Sequence, residues 1–344
     1  MFMNVAINGF GRIGRATFKL LLEKKNINIV AINDLNPIET LAYLLRYDSV
    51  YGIYNKSIRF NGSSIIVDGK HIKVIAKREP AELPWADLKV DVVIESTGIF
   101  RTHALAMKHI QAGAKKVVIT APPKVCDCGV KNCVVKIIVP GVNEKNIKKS
   151  DQIISMASCT TNCLAPITSV IEKSFGIRKA IMTTIHSYTA DQNLVDGANK
   201  DLRRGRAAAL NMVPTTTGAA IATCEVIPEL AGKFDGLAIR VPTPTVSICD
   251  VVYLLKNKTT KDNVNSVLEK SSKNISLRGI LKVTKDPLVS CDYAGNDASA
   301  TVDLSLTNVV DGDLVKIIAW YDNEWGYSAR LAGTCEFIKK KKLL

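Results

Sequence analysis

The chain has 344 residues, 47% of them apolar and 23% charged, and a formal net charge of +14. This is a globular composition with room for two cores, and no apolar run reaches the length of a membrane span. Nine cysteines, an odd number spread along the chain, argue against a disulfide framework and for reduced thiols in the cytoplasm.

The N-terminus enters a strand-like stretch without the charged and apolar regions of a signal peptide. Residues 4–8 alternate as a strand, and Gly9-Phe10-Gly11-Arg12-Ile13-Gly14 follows at once. Ala16, Leu20, Leu21 and Leu22 then supply a helix face, and a second strand, 27–32, ends in Asn33-Asp34. Strand, glycine turn, helix, strand and acidic terminus form the dinucleotide-binding unit. Gly9 permits the tight turn, Gly11 lets backbone approach a pyrophosphate, Gly14 allows close helix-to-strand packing, and the helix start faces the phosphates. The Asp34 carboxylate suits two ribose hydroxyls and repels a 2′-phosphate, which favours NAD over NADP.

Residues 91–98 and 116–122 are apolar strands that end in small or hydroxyl residues, Thr97 and Thr120 among them, as a parallel sheet presents its ligand edge. Residues 104–113 between them read as a helix, with His103 and His109 as non-catalytic helix residues. Arg78 stands in a polar turn and reaches toward the adenosine end. Cys126, Cys128 and Cys133 lack the paired spacing and the fourth ligand of a zinc knuckle, so no metal is expected. Residues 134–139 read as a further strand.

A strand at 152–155 leads into Ser158-Cys159-Thr160-Thr161-Asn162-Cys163, and Leu164, Ile167, Val170, Ile171 and Phe175 follow at helical spacing. Cys159 therefore stands at a helix start, where unpaired N–H groups and the dipole bias a thiol toward thiolate, the attacking form. A strand at 179–185 delivers His186, placed to stabilise the thiolate and to accept a proton from an adduct. Residues 190–214 form a long basic loop that includes Lys200, Arg203, Arg204 and Arg206. Thr215-Thr216-Thr217-Gly218 opens a helix as an anion nest, and Arg240, in or beside a strand, is a second anion ligand. Strand-like runs at 246–255, 289–293, 301–306 and 314–320, with a helix at 263–270, describe a mixed or antiparallel sheet. A last helix begins within 322–328 and folds back to the first domain, bringing Asn323 near the cofactor.

The glycine turn, the cysteine motif, His186-Ser187-Tyr188-Thr189 and residues 320–327 together resemble the phosphorylating glyceraldehyde-3-phosphate dehydrogenase family over essentially the whole chain. The resemblance implies an α/β fold, an N-terminal Rossmann dinucleotide-binding domain (1–157) with a C-terminal α+β catalytic domain (158–322) on a mixed, mainly antiparallel sheet. A C-terminal helix (323–344) returns to the first domain. It implies Cys159 as nucleophile and His186 as base, with glyceraldehyde 3-phosphate, inorganic phosphate and NAD as reactants. Cofactor contacts fall on Gly9, Gly11, Arg12, Ile13, Gly14, Asp34, Arg78, Thr97, Thr120 and Asn323. Thr189 and Arg240 correspond to the substrate-phosphate site, and Ser158, Thr160, Thr217, Gly218 and Arg204 to the site of the attacking phosphate. Cys163 supports the helix and does not attack.

The basic loop resembles one that lies against a neighbour's cofactor site in a homotetramer. Gly197-Ala198 stand where the family often has bulkier Leu-Pro or Gly-Pro, which implies some NADP tolerance. The cysteine-rich loop is longer than usual, and Ile221 replaces a common lysine without a catalytic consequence. An erythrose-4-phosphate dehydrogenase and a family member acting mainly as a binding protein are the alternatives. No dedicated nucleic-acid site and no membrane role are expected.

Overall fold

The structure is a computed structural model that describes residues 2–125 and 134–344; Cys126, Cys128 and Cys133 lie outside them. Two compact units share the chain. The first takes the chain as far as Ile138, then Lys145–Ala157 and Ser328–Leu344; the second takes Val139–Glu144 and Ser158–Tyr327.

The first unit contains β1 (Met3–Asn8), α1 (Arg12–Leu22), β2 (Ile27–Asn33), α2 (Ile38–Arg46), the small hairpin β3 (Tyr47–Asp48) and β4 (Gly52–Ile53), and then β5 (Ile58–Phe60), β6 (Ser64–Val67) and β7 (Lys70–Ile75). It continues with β8 (Val92–Glu95), α3 (His103–Gln111), β9 (Lys116–Ile119), β10 (Lys136–Ile137) and β11 (Ile153–Ser155). Nine strands form one sheet in the order β10-β11-β9-β8-β1-β2-β7-β6-β5. Pairing is parallel from β10 to β7 and antiparallel through β6 and β5. The residues of β8 and β9 are wholly buried, which explains their unbroken apolar runs. Chain order reverses across β1, and the carboxyl ends of β1, β2 and β8 converge there, where an open parallel sheet takes its ligand.

Two glycines make that convergence sterically feasible. Gly9 has a φ of +91°, and a Cβ on it would lie 2.8 Å from backbone atoms of Ser96 and Thr97. A Cβ on Gly14 would stand 2.2 Å from the Gly9 carbonyl oxygen, so only glycine lets α1 approach β1 this closely.

The second unit contains α4 (Cys159–Phe175), β12 (Ile177–Ser187), β13 (Val213–Thr216), α5 (Ala219–Val226), β14 (Phe234–Val241), β15 (Ser247–Leu255), α6 (Lys261–Lys273), β16 (Leu281–Thr284), β17 (Ala300–Asp303), β18 (Asn308–Val310) and β19 (Leu314–Tyr321). Its sheet runs β13-β14-β12-β15-β19-β17-β16, with β18 also on β19. Only the β12–β14 and β16–β17 pairs are parallel, so the sheet is mixed and mainly antiparallel. Most of α4 is buried, as expected of a helix apolar on most sides. The final helix, α7 (Trp325–Lys340), starts in the second unit and continues into the first from Ser328.

Three local expectations differ. Residues 289–293 are no strand: Ser290–Tyr293 form a 3-10 helix. The Asp292 carboxylate accepts the Val289 N–H at 2.8 Å, so a side chain takes a donor that a ladder would need, and Tyr293 stacks on Trp320 instead. The strand expected at 134–139 is confined to Lys136–Ile137. Thr215 and Thr216 end β13 rather than opening a helix, and α5 starts only at Ala219.

Gly14→Ala is expected to cost about 1–3 kcal/mol through overpacking against β1. Gly11→Ala, whose Cβ meets nothing within 4 Å, should cost far less, and urea denaturation of both variants checks the difference.

Candidate active site

In the second unit, Ser158 caps α4, its hydroxyl accepting the Thr161 N–H at 3.0 Å and pairing with the Thr161 hydroxyl at 2.7 Å. Cys159 is thereby the first residue of the helix. Ala157, just before the cap, is wholly buried at a φ of +53°, a strained turn that delivers the motif.

His186 sits near the end of β12, with Nε2 3.5 Å from Cys159 Sγ. Its Nδ1 lies 2.7 Å from the Ser187 carbonyl oxygen and 3.0 Å from Arg240 Nη1. A carbonyl only accepts and a guanidinium only donates, so Nδ1 can serve one of them; the shorter contact makes Nδ1–H the donor to the Ser187 carbonyl, and Nε2 keeps a lone pair facing the thiol. Arg240 Nη1 in turn donates to the Ser187 carbonyl at 3.1 Å and to the Thr189 hydroxyl at 2.9 Å. This arrangement orients a base toward a nucleophile.

Burial pushes the Cys159 thiol up to about 11, against the Arg240 charge and hydrogen bonds from the Thr160 hydroxyl and N–H, which pull it down. Burial, together with the Arg240 charge, pushes His186 down to about 3. The resting pair is therefore thiol and neutral imidazole. The helix start that suggested a thiolate is present, but desolvation outweighs it, and the thiolate must form with proton transfer to Nε2. Cys163, wholly buried, has its thiol pushed well above the ordinary value by burial and by Cys249, which disfavours attack from that position.

Two arginines are held in one hydrogen-bonded chain. Arg240 donates to Thr189, Thr189 to the Asp191 carboxylate, and Arg204 pairs with the same carboxylate through Nη1. Arg204 also bonds the Thr215 hydroxyl at 2.9 Å through Nε and the Thr216 carbonyl at 3.2 Å through Nη2. Partial burial opposes ionisation of Asp191, but the Thr189 hydroxyl and the Arg240 and Arg204 charges outweigh it and hold its pKa below the ordinary value. Sequence reasoning missed Asp191; the available signal was an acid two residues after Thr189 at the head of a basic loop. Thr217 accepts the Ala219 N–H at 3.2 Å beside exposed Gly218 at the start of α5.

Thr160 is placed differently from the expectation of a hydroxyl facing an anion. It is buried, and its hydroxyl lies 2.8 Å from Tyr321 OH, which is also 2.8 Å from the Thr184 hydroxyl. The Thr160 hydroxyl, at 4.0 Å, and the Thr160 N–H also stand near the Cys159 thiol. Asn323, also buried in this unit, accepts the Ser247 hydroxyl at 3.0 Å.

In the first unit, a cavity of about 560 Å³ is lined by residues that include Gly9, Gly11, Asp34, Arg78 and Thr97. Asp34 accepts the Phe10 N–H at 2.7 Å on one oxygen and the Asn36 N–H at 3.0 Å and side-chain amide at 2.8 Å on the other, and the first oxygen retains acceptor capacity. The space where a Gly11 Cβ would point is open for 4 Å. This donor set and the opening fit a dinucleotide. Arg12, Ile13, Gly14 and Thr120 do not line the cavity. The Arg12 guanidinium pairs with Asp48 at 2.7 Å, and at the start of α1 it is the N-cap Gly11 that lines the cavity. Among the described residues, no group of three or more His, Cys, Asp or Glu is arranged to hold a metal, and no helix is long and apolar enough to cross a membrane.

Residues 3–103 match the family model for the glyceraldehyde 3-phosphate dehydrogenase NAD binding domain, and residues 158–323 match that for its C-terminal domain. The chain is 51% identical over 340 residues to the glyceraldehyde-3-phosphate dehydrogenase of Streptomyces coelicolor, with 98% of this chain and 99% of that one covered. It is 52% identical over 339 residues to glyceraldehyde-3-phosphate dehydrogenase 2 of a Synechocystis species, with 98% of each covered. It is 48% identical over 344 residues to the Geobacillus stearothermophilus enzyme of the same name, across 100% of both. With both family models matched in chain order and about half of all residues shared over full-length relatives, the chain belongs to the glyceraldehyde-3-phosphate dehydrogenase family.

Proposed function

We propose that this chain oxidises D-glyceraldehyde 3-phosphate with NAD and inorganic phosphate to 1,3-bisphosphoglycerate, and that the 3.5 Å approach of His186 Nε2 to Cys159 Sγ carries the chemistry. His186 takes the thiol proton as sulfur attacks the aldehyde carbon, and returns it to the resulting alkoxide to give a thiohemiacetal. Bound NAD supplies the hydride acceptor for the oxidation. His186 accepts the hydroxyl proton as the thioester forms, and can protonate the sulfur when phosphate displaces it. Arg240 and Thr189 hold the substrate phosphate. Ser158, the Thr160 N–H, Thr217, Gly218 and Arg204 hold the attacking phosphate, so both anions are oriented about one sulfur. Gly9, Gly11, Asp34, Arg78 and Thr97 bind the cofactor from the cavity walls; Arg12, Ile13 and Gly14 act from the start of α1, with Thr120 and Asn323 completing the set.

The same reading assigns residues 1–157 to cofactor binding, 158–322 to catalysis and 323–344 to the returning helix, in a cytoplasmic enzyme. Gly197-Ala198 leave it tolerant of NADP. A homotetramer is supported by Leu194, Val195, Leu202, Leu210 and Met212, apolar side chains of the basic loop that are at least 73% exposed. Sedimentation velocity should give about four times the 37.4 kDa chain mass, and a monomer would remove that assignment.

Initial rates with glyceraldehyde 3-phosphate and phosphate should exceed those with erythrose 4-phosphate, and NAD should outperform NADP; equal or greater activity on the four-carbon sugar overturns the substrate assignment. Cys159→Ser is expected to abolish acyl-enzyme formation while NAD binding persists. His186→Asn should slow both turnover and thiol alkylation by iodoacetamide on the order of 10²-fold. Arg240→Leu should raise KM for glyceraldehyde 3-phosphate by about 10–100-fold, because a charge-assisted bond to phosphate is lost.

A further inference from the structure

Beneath the dinucleotide cavity runs a buried polar chain that the reaction scheme leaves unused. Glu95, His109, Trp85 and Asn8 are at most 1% exposed, and Asn33 is 5% exposed. Trp85 Nε1 donates to His109 Nδ1 at 3.0 Å. An indole N–H only donates, so Nδ1 is the acceptor and the imidazole proton sits on Nε2, 3.0 Å from Glu95 Oε2. The same oxygen accepts from Asn8 Nδ2 at 2.5 Å. Glu95 Oε1 accepts the Thr97 N–H at 2.9 Å and the Thr97 hydroxyl. Asn8 Oδ1 then accepts from Asn33 Nδ2 at 2.7 Å, and Asn33 Oδ1 accepts the Lys77 N–H at 2.9 Å.

One carboxylate thus gathers four donors from three elements, and through Asn8 it reaches two more segments. The Asn8 and Thr97 branches end on the cavity, and the His109–Trp85 branch runs away from it into the core. Asn8, Asn33, Lys77 and Thr97 line the cavity, and Asp34 and Arg78 are the next residues after Asn33 and Lys77. A buried carboxylate is costly, and apolar residues of similar volume would hold strands together at least as well. What a saturated polar network adds is fixed geometry, of the order a binding site needs.

We propose that Glu95, held by a tautomer-locked His109, is a positioning residue for the adenosine half of the cofactor, setting the walls that carry Asp34, Arg78 and Thr97. This rests on reading the cavity as the dinucleotide site. Glu95→Gln tests it, because the amide places a donor against a donor either way round: its NH₂ faces Asn8 and His109, or it faces the Thr97 N–H. The Trp85 N–H prevents His109 from changing tautomer to compensate.

ADP-ribose, which has no nicotinamide, is titrated calorimetrically into the full-length wild type and Glu95→Gln, alongside steady-state kinetics. ADP-ribose affinity should fall about tenfold, and KM for NAD should rise in parallel. The kcat at saturating NAD and the KM values for aldehyde and phosphate should stay within about twofold of wild type. Wild-type affinity in a variant that only melts at lower temperature would overturn the proposal, as would a loss of kcat with unchanged KM for NAD. Should Glu95→Gln fail to fold, Trp85→Phe releases the tautomer lock with a smaller change in packing. It is expected to weaken ADP-ribose several-fold, and unchanged affinity there overturns the proposal too. Failure of the wild type to bind ADP-ribose would instead overturn the dinucleotide reading, and the proposal with it.

Discussion

The parallel pairing of β12 with β14 is the constraint on which the catalytic arrangement depends. It sets His186 directly opposite Arg240, and register partners on neighbouring strands present their side chains to the same face. A slip of one residue would turn either side chain to the other face and dissolve the contact between Arg240 and the imidazole. Arg240 donates to the Ser187 carbonyl and the Thr189 hydroxyl, and its guanidinium stands 3.0 Å from the imidazole Nδ1. The strand pairing therefore sets the orientation of the base before any substrate arrives.

Burial then sets the charge state. Desolvation raises the thiol and lowers the imidazole, so burial favours the neutral form of each. Cationic charge nearby is plentiful but compensated: Asp191 ties Thr189 and Arg204 together, and Thr189 in turn bonds Arg240, which keeps two arginines in place. Without a counter-charge, guanidinium groups brought together would repel.

The first unit meets a similar difficulty with neutral groups. Its strand ends carry asparagines and hydroxyls that line a cavity on one side and are buried on the other, and buried polar atoms without partners are costly. Glu95 and His109 supply those partners. The cavity wall is thereby satisfied from behind.

Much of this was legible in the sequence. Gly9, Gly11, Gly14 and Asp34 are local signals, since a turn with positive φ, a close backbone approach and an acid at a strand end are encoded within a few dozen residues. Ser158 and Cys159 likewise announce a capped helix start, because capping depends on residues three apart. Residues 289–293 misled because Val289, Cys291 and Tyr293 alternate as in a strand, and nothing in that spacing shows that the Asp292 side chain will capture the Val289 N–H. Sequence by itself determined the glycine turn, the placement of Cys159 at a helix start and the order of the two sheets. Only the tertiary structure decided that the Thr160 hydroxyl turns to Tyr321, that Asp191 pairs with Thr189 and Arg204, that burial favours the neutral forms of Cys159 and His186, and that Glu95 joins separate strand ends. Each of those depends on burial and on partners distant along the chain, and neither exists until the sheets have paired.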